Sequence, residues 1–189
     1  MPAWGAVDAR LGNNPLVLGV PFEGEAIVLD MAMSQFSYGS IELHQRTSSP
    51  LPIPGGYNNE GLLTTDPNEI IESRRLLPAG YWKGSGLALL LDLLATILSG
   101  GLSTARISRR EAEFALSQVF ISIDISQLTS PGALRDSVYH IIKDLHDSVP
   151  VDGTKNVLYP GERVLRIRAE NLKNGIPIEQ SIWQEVKRL

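Results

Sequence analysis

Three short segments of this 189-residue chain combine residue types that could hold a charged ligand. Lys83-Gly84-Ser85-Gly86 offers a cation, small residues that expose backbone N–H groups, and the entry to a helix, all of which suit an anion. The same residues also read as a glycine-rich helix entry with an exposed lysine. Ala26, Ile27, Val28 and Leu29 form an apolar strand that runs into Asp30, Met31 and Ala32. Ligands often bind where a strand ends, although an ordinary strand end has this pattern too. Pro160-Gly161-Glu162-Arg163 is a turn followed by a helix start. Its acid and base suit a polar ligand, or form a solvated pair of modest energetic value.

Other chemistries lack their residues. The dinucleotide fingerprint G-x-G-x-x-G is represented only by its first half, Gly84-Ser85-Gly86, and the phosphate loop G-x-x-x-x-G-K-[ST] does not occur. No G-x-S-x-G supports a nucleophile-elbow hydrolase. His44, His140 and His146 have no metal-ligand spacing, and no metal site is expected. His140 and His146 are six residues apart and point to different faces of one helix. His44 reads as a surface histidine. Arg163, Arg166 and Arg168 are flanked by Glu162 and Glu170, which favours a solvated helix over a phosphate track. Tyr57, Tyr81 and Trp82 lie in glycine-containing loops, where a ring can stack on a planar ligand or anchor the loop.

The elements that must position these residues follow from pattern. Leu16 to Pro21 and Ala26 to Met31 are apolar, β-rich runs separated by Gly24 and Glu25, which suggests a pair of strands around a turn. Ser34 to Gln45 allows a helix. Ser48 to Gly61 is proline- and glycine-rich and reads as a loop. Asp66 can cap a helix that has Pro67 at its first position, with Glu69 reaching back. Leu76 to Gly86 reads as a second loop, feeding a helix from Leu87 to Ser99. That helix is apolar nearly all round and so should be covered on several sides; Gly100-Gly101 ends it. Ser108-Arg109-Arg110-Glu111 has capping-box spacing but leads into a weak segment. Val119 to Ile125 alternates strictly, and predicts a strand with Val119, Ile121, Ile123 and Ile125 on one face. Ser130-Pro131 opens a helix with Leu134, Val138, Ile141, Ile142 and Leu145 inward. Pro150 to Gly161 is a loop, and Arg163 to Asn171 and Ile178 to Leu189 read as two short helices. The strands do not alternate regularly with helices, so the class is mixed α/β without a standard doubly wound sheet.

Composition narrows the function. Hydrophobic residues make up 43% and charged residues 20%, a globular balance. The net charge of -4, from 17 basic and 21 acidic residues, argues against a nucleic-acid partner. Cysteine is absent, which excludes disulfides, thiolate metal sites and cysteine nucleophiles, and fits a reducing, cytoplasmic setting. The start of the chain has no basic, apolar export pattern. The run Leu87 to Leu98 carries Asp92 and is shorter than the roughly 20 residues of a membrane helix, so no membrane partner is expected.

A set of segments in fixed order then carries a resemblance. It comprises Leu11-Gly12-Asn13-Asn14-Pro15-Leu16, Leu29-Asp30-Met31-Ala32-Met33-Ser34 and Leu77-Pro78-Ala79-Gly80-Tyr81-Trp82-Lys83-Gly84-Ser85-Gly86. Ile97-Leu98-Ser99-Gly100-Gly101, Gln118-Val119-Phe120-Ile121, Pro160-Gly161-Glu162-Arg163 and Asn174-Gly175-Ile176-Pro177 follow. Together they resemble the malate/L-lactate dehydrogenase family of NAD(P)-dependent oxidoreductases, which is distinct from the Rossmann-type enzymes of similar name. The resemblance implies an α+β, non-Rossmann NAD(P)-binding domain over residues 1–150, with a mixed, largely antiparallel sheet flanked by helices. Residues 151–189 would form a C-terminal loop and helices. It implies NADH or NADPH as cofactor, a small α-keto acid or 2-hydroxy acid as substrate, and a homodimer. Cofactor contacts would fall on Ala26, Ile27, Val28, Leu29, Asp30, Met31 and Ala32, on Trp82 and Lys83, and on Gly161, Glu162 and Arg163. The family's proton-donating histidine belongs to an N-terminal helical portion to which nothing in this chain corresponds. His44 matches no catalytic position, and no catalytic residue is assigned here. The rival expectation is a non-catalytic nucleotide-binding and dimerising module.

Overall fold

Two apolar runs fold back on each other across Glu23-Gly24. Both turn residues have positive φ, 49° and 82°, the backbone twist that suits a two-residue hairpin turn. The strands are β1 Leu16–Phe22 and β2 Glu25–Met31, paired as a two-stranded sheet. The structure, a computed structural model, describes residues 1–151 and 156–189. The expected loop from Pro150 to Gly161 therefore lies partly outside the described residues.

The remaining elements are α1 Tyr38–Arg46, β3 Gly56–Tyr57, β4 Leu63–Thr64, α2 Pro67–Ser73, β5 Arg75–Leu76 and α3 Trp82–Ser99. They are followed by α4 Thr104–Ile107, a 3-10 turn Ile125–Gln127, α5 Pro131–His146, α6 Glu162–Asn174 and α7 Gln180–Val186. These small antiparallel sheets flanked by helices are the mixed α/β class read from the sequence. The chain divides into two units. One holds Met1–Leu16 and Asp30–Ile123, the other Val17–Leu29 and Asp124–Leu189.

In the first unit, β3 is the middle strand of a three-stranded sheet and pairs antiparallel with both β4 and β5. It lies inside the stretch read as loop. Glycine explains why: a Cβ on Gly56 would lie 2.6 Å from the Arg75 carbonyl and 2.8 Å from Ile70. Only a bare backbone fits between its neighbours. Asp66 caps α2 as expected, but its carboxylate accepts from both the backbone N–H and the side-chain amide of Asn68, at 2.8 and 3.0 Å. The Asp66 N–H, which Glu69 was expected to reach back to, donates instead to Thr64 Oγ1 at 3.0 Å. Met33, Ile41, Leu51, Ile70, Leu76 and Ala88 form the buried core, with Phe36, Ile71 and Leu91 packed against it.

Three further expectations need correction. First, α3 begins at Trp82, so Trp82 to Gly86 form its first turn and a half rather than a loop. Second, α3 is not covered on several sides. Ala88 is buried, but Leu90, Leu93, Leu94 and Leu98 are exposed and Ile97 is 71% exposed. Third, Val119 to Asp124 joins no sheet among the described residues, and Phe120 is 88% exposed. Strand propensity alone does not make a strand, because its N–H and C=O groups need a ladder partner. No helix begins at the capping-box spacing of Ser108, in keeping with the weak segment that follows it; a short helix, α4, precedes it.

In the second unit, Ser130 caps α5 by accepting from Ala133 N–H at 3.3 Å. Leu134, Val138, Ile142 and Leu145 are half-buried, four positions on one helical stripe. Ile141, expected inward, lies off that stripe and is 67% exposed.

Asp92, the one charge within the apolar run, joins two helices. Its carboxylate accepts from Thr104 N–H at 2.8 Å and Thr104 O–H at 3.0 Å, which ties α3 to α4. Asp92→Ala should therefore lower the unfolding free energy by about 1–3 kcal/mol, because the Thr104 N–H loses its partner and the Thr104 O–H keeps only the longer contact to Asn14. Glu72→Gln, at an exposed position of α2, should stay within about 0.5 kcal/mol of the parent. Urea denaturation of both variants checks the contrast.

Candidate functional site

The residues expected to hold a cofactor fall into two local groups, one in each unit. In the second unit, Ala26 to Leu29 meets Pro160 to Arg163. Val28 N–H donates to the Pro160 carbonyl at 3.2 Å. Gly161 has φ +91°, and a Cβ there would stand 3.2 Å from Val28 O and 3.3 Å from Val28 N. The turn thus lies backbone against backbone on β2, and glycine supplies both the left-handed conformation and the clearance.

Gly161 is followed directly by α6. Arg163, in the first turn of that helix, is exposed and adds a cation where the helix end already favours negative charge. Glu162 does something different. Its Oε2 accepts from Tyr159 N–H at 3.0 Å and contacts His146 Nε2 at 3.0 Å. Burial, with the nearby carboxylates of Glu162 and Glu23, holds the Tyr159 phenol above its ordinary pKa. Sequence reasoning missed His146, which lies 16 residues from Glu162 with no motif to link them. Further along α6, Arg166 and Arg168 face Glu170 and Glu25, each at 3.9 Å, the solvated pairing expected of this cluster.

In the first unit, Asp30 to Ala32 leads into Met33 and Ser34, which are pinned from two sides. Asn13 accepts from Met33 N–H through its backbone carbonyl at 3.1 Å and from Ser34 N–H through its side chain at 2.9 Å. Met33 O accepts from Ala79 N–H at 2.9 Å, and Gln35 N–H donates to Leu77 O at 2.7 Å. These bonds place the end of the 26–32 segment beside the residues that lead into α3, where Trp82 and Lys83 are exposed. Lys83 Nζ lies 6.0 Å from the Trp82 ring centre. Tyr81 packs against Trp4, with ring centres 5.0 Å apart, and so anchors its turn. Asn14 extends the support, donating to the Ala88 carbonyl in α3 at 2.7 Å. Asn13 and Asn14 were visible in the sequence only as part of a resembling segment; their bonds show what they do.

His44 is half-buried and bonded through Nδ1 to the Ser40 carbonyl of its own helix at 2.8 Å. A groove of about 350 Å³ runs along α6, lined by Val164, Ile167, Arg168, Asn171, Leu172 and Ile176. None of the expected cofactor residues lines it.

Gly161→Ala should cost about 1–2 kcal/mol, since alanine meets both a positive φ and a close backbone. Gly19→Ala in β1, where a Cβ meets nothing within 4 Å, serves as the control and should change stability by about 0.5 kcal/mol or less. Denaturation midpoints of the two variants make the comparison.

Residues 1–187 match the family described as malate/L-lactate dehydrogenase. The chain is 40% identical, over 191 residues, to the 2,3-diketo-L-gulonate reductase of Citrobacter koseri, an alignment covering 100% of this chain and 57% of that protein. A dehydrogenase from Sinorhizobium meliloti has a solved structure that is 27% identical, with a TM-score of 0.73 over 100% of this chain and 55% of that one. The malate dehydrogenase of Entamoeba histolytica superposes with a TM-score of 0.89 over 99% of this chain and 56% of that one; at 22% identity it speaks for the fold alone. The chain spans about 57% of the length of the curated relatives it matches. With nearly every residue inside the family match, and an α/β fold that its solved relatives share, the chain belongs to the malate/L-lactate dehydrogenase family.

Proposed function

We propose that this chain carries the NAD(P)H-binding part of a reductase acting on the ketone of a small α-keto acid, with 2,3-diketo-L-gulonate as the first choice of substrate. The observation that carries this reading is 40% identity over the whole chain to a 2,3-diketo-L-gulonate reductase. Malate, lactate, ureidoglycolate and cyclic imino acids are the other substrates to test. One solved relative, 26% identical, is a delta1-piperideine-2-carboxylate reductase from Pseudomonas syringae.

The residues present fit a dinucleotide. Lys83 in the first turn of α3 and Arg163 in the first turn of α6 are exposed cations, each suited to an anionic group. In this reading Ala26 to Ala32, Trp82, Lys83, Gly161 and Arg163 touch the cofactor. Glu162 shapes the turn that presents Gly161 and Arg163. When bound, the reduced nicotinamide supplies a hydride to the carbonyl carbon. The balancing proton is assigned to the histidine of the family's N-terminal portion, not to His44, whose Nδ1 is engaged within its own helix. Residues 1–150 form the cofactor-binding part in this reading, and residues 151–189 its C-terminal extension. The assembly is a homodimer, supported by the exposed apolar residues of α3. Its setting is the cytoplasm, supported by the lack of cysteine.

A second reading is a nucleotide-binding module without catalysis of its own. The Nδ1 of His44, engaged with the Ser40 carbonyl of its own helix, favours it.

Titration with NADH and NADPH, followed by tryptophan quenching and energy transfer to the nicotinamide, tests the shared premise. Saturable binding is expected, with Lys83→Ala and Arg163→Ala each weakening it by about tenfold, roughly 1.4 kcal/mol. A folded chain that binds neither nucleotide overturns both readings. With a relative's N-terminal portion added back, loss of NADH absorbance on adding 2,3-diketo-L-gulonate then supports the reductase, and its absence supports the module.

A further inference from the structure

We propose that His146 is a positioning residue for the nucleotide-binding turn Pro160–Arg163, acting through Glu162. This rests on the reading of that turn as a cofactor contact, and deepens it.

The geometry runs through one carboxylate oxygen. Glu162 Oε2 accepts from Tyr159 N–H at 3.0 Å, and the imidazole Nε2 of His146 lies 3.0 Å from the same atom. Facing a carboxylate, which can only accept, that nitrogen is the donor. Tyr159 precedes Pro160, whose carbonyl receives Val28 N–H at 3.2 Å, and Pro160 precedes Gly161, which lies against the Val28 backbone. A displacement of Glu162 therefore moves the residue that fixes the turn to β2. The imidazole also lies beside the Tyr159 ring, with centres 5.9 Å apart and planes 33° apart, so the same side chain braces the turn at a second point. Among the described hydrogen bonds, the His146–Glu162 contact is the one that ties α5 to this turn.

His146 is the last residue of α5, a helix of 16 residues whose half-buried stripe ends at Leu145. The latch is thus mounted on the end of a helix rather than on a loop. Glu162 is expected, by family resemblance, to touch cofactor directly. Its engagement with Tyr159 and His146 gives it a different part, that of holding the backbone that presents Gly161 and Arg163.

The test uses the 189-residue chain with His146→Leu and His146→Gln. Glutamine keeps an N–H donor within reach of the carboxylate; leucine keeps bulk without a donor. Amide hydrogen exchange at Tyr159 and Val28 reads the latch without any ligand, and NADH titration reads its consequence. His146→Leu should speed exchange at both amides and weaken NADH binding, each by roughly threefold to fivefold, the range of a partly exposed charged contact. His146→Gln should restore both. Unchanged exchange in the leucine variant overturns the proposal, as does a glutamine variant that behaves like leucine, since packing would then be the whole effect. Faster exchange with unchanged NADH affinity also overturns it, because the turn would move without consequence for the nucleotide. If the parent chain binds no NADH, the functional reading fails with it, whereas exchange at Tyr159 and Val28 still decides whether His146 holds the turn. Circular dichroism confirms folding. Should the leucine variant not fold, Glu162→Gln weakens the same contact from the other side, and normal exchange there counts against the proposal.

Discussion

The candidate site depends on one close approach, that of Gly161 to the backbone of Val28. A side chain at 161 would stand about 3.2 Å from the Val28 carbonyl, and the residue holds a φ that L side chains rarely adopt. Because neither obstacle applies to glycine, the turn can sit on β2 and use the Val28 N–H that a free strand edge would leave exposed to solvent or to other chains. Everything that gives the turn a role follows from that seating. The start of α6, the exposed Arg163 and the internal bonds of Glu162 all inherit their places from it.

The first unit solves a similar problem with side-chain amides. Asn13 and Asn14 come from one short segment, yet they reach the 33–34 backbone, the α3 backbone at Ala88 and, through Asn14, the Thr104 hydroxyl at 3.3 Å. An amide side chain suits this work because it both donates and accepts. Asp92 adds the link between α3 and α4. The apolar bulk of α3 contributes less than its composition suggests, since Ala88 is its one buried apolar side chain and several leucines face outward.

The places where sequence reasoning succeeded share a physical feature: their cause is local. The pairing of β1 and β2 around a turn (at Glu23-Gly24, one residue before the expected Gly24-Glu25), the caps at Asp66 and Ser130, and the stop at Gly100 each depend on the conformational preference of one or two residues. The places where it failed needed a partner at long range. Val119 to Ile125 has the alternation of a strand but lacks a ladder. Gly56-Tyr57 has the composition of a loop, yet becomes the centre of a sheet because β4 and β5 come to either side of it. Ile141 was placed inward by composition, whereas the helical stripe of α5 turns it out.

For the site, the three segments were legible as chemistry before any fold was known: an anion-suited helix entry, a strand end and a turn with an acid and a base. Each alone had an equally plain structural reading, and only the resemblance joined them. By itself the sequence determined the helix caps, the hairpin, the glycine positions and the family, because these reside in residue type and short spacing. Tertiary structure decided which segments meet. It set Val28 against Gly161, turned Glu162 inward to Tyr159 and His146, and left most of α3 uncovered. Those outcomes depend on contacts between residues far apart in the chain, whose geometry exists only once the backbone has folded.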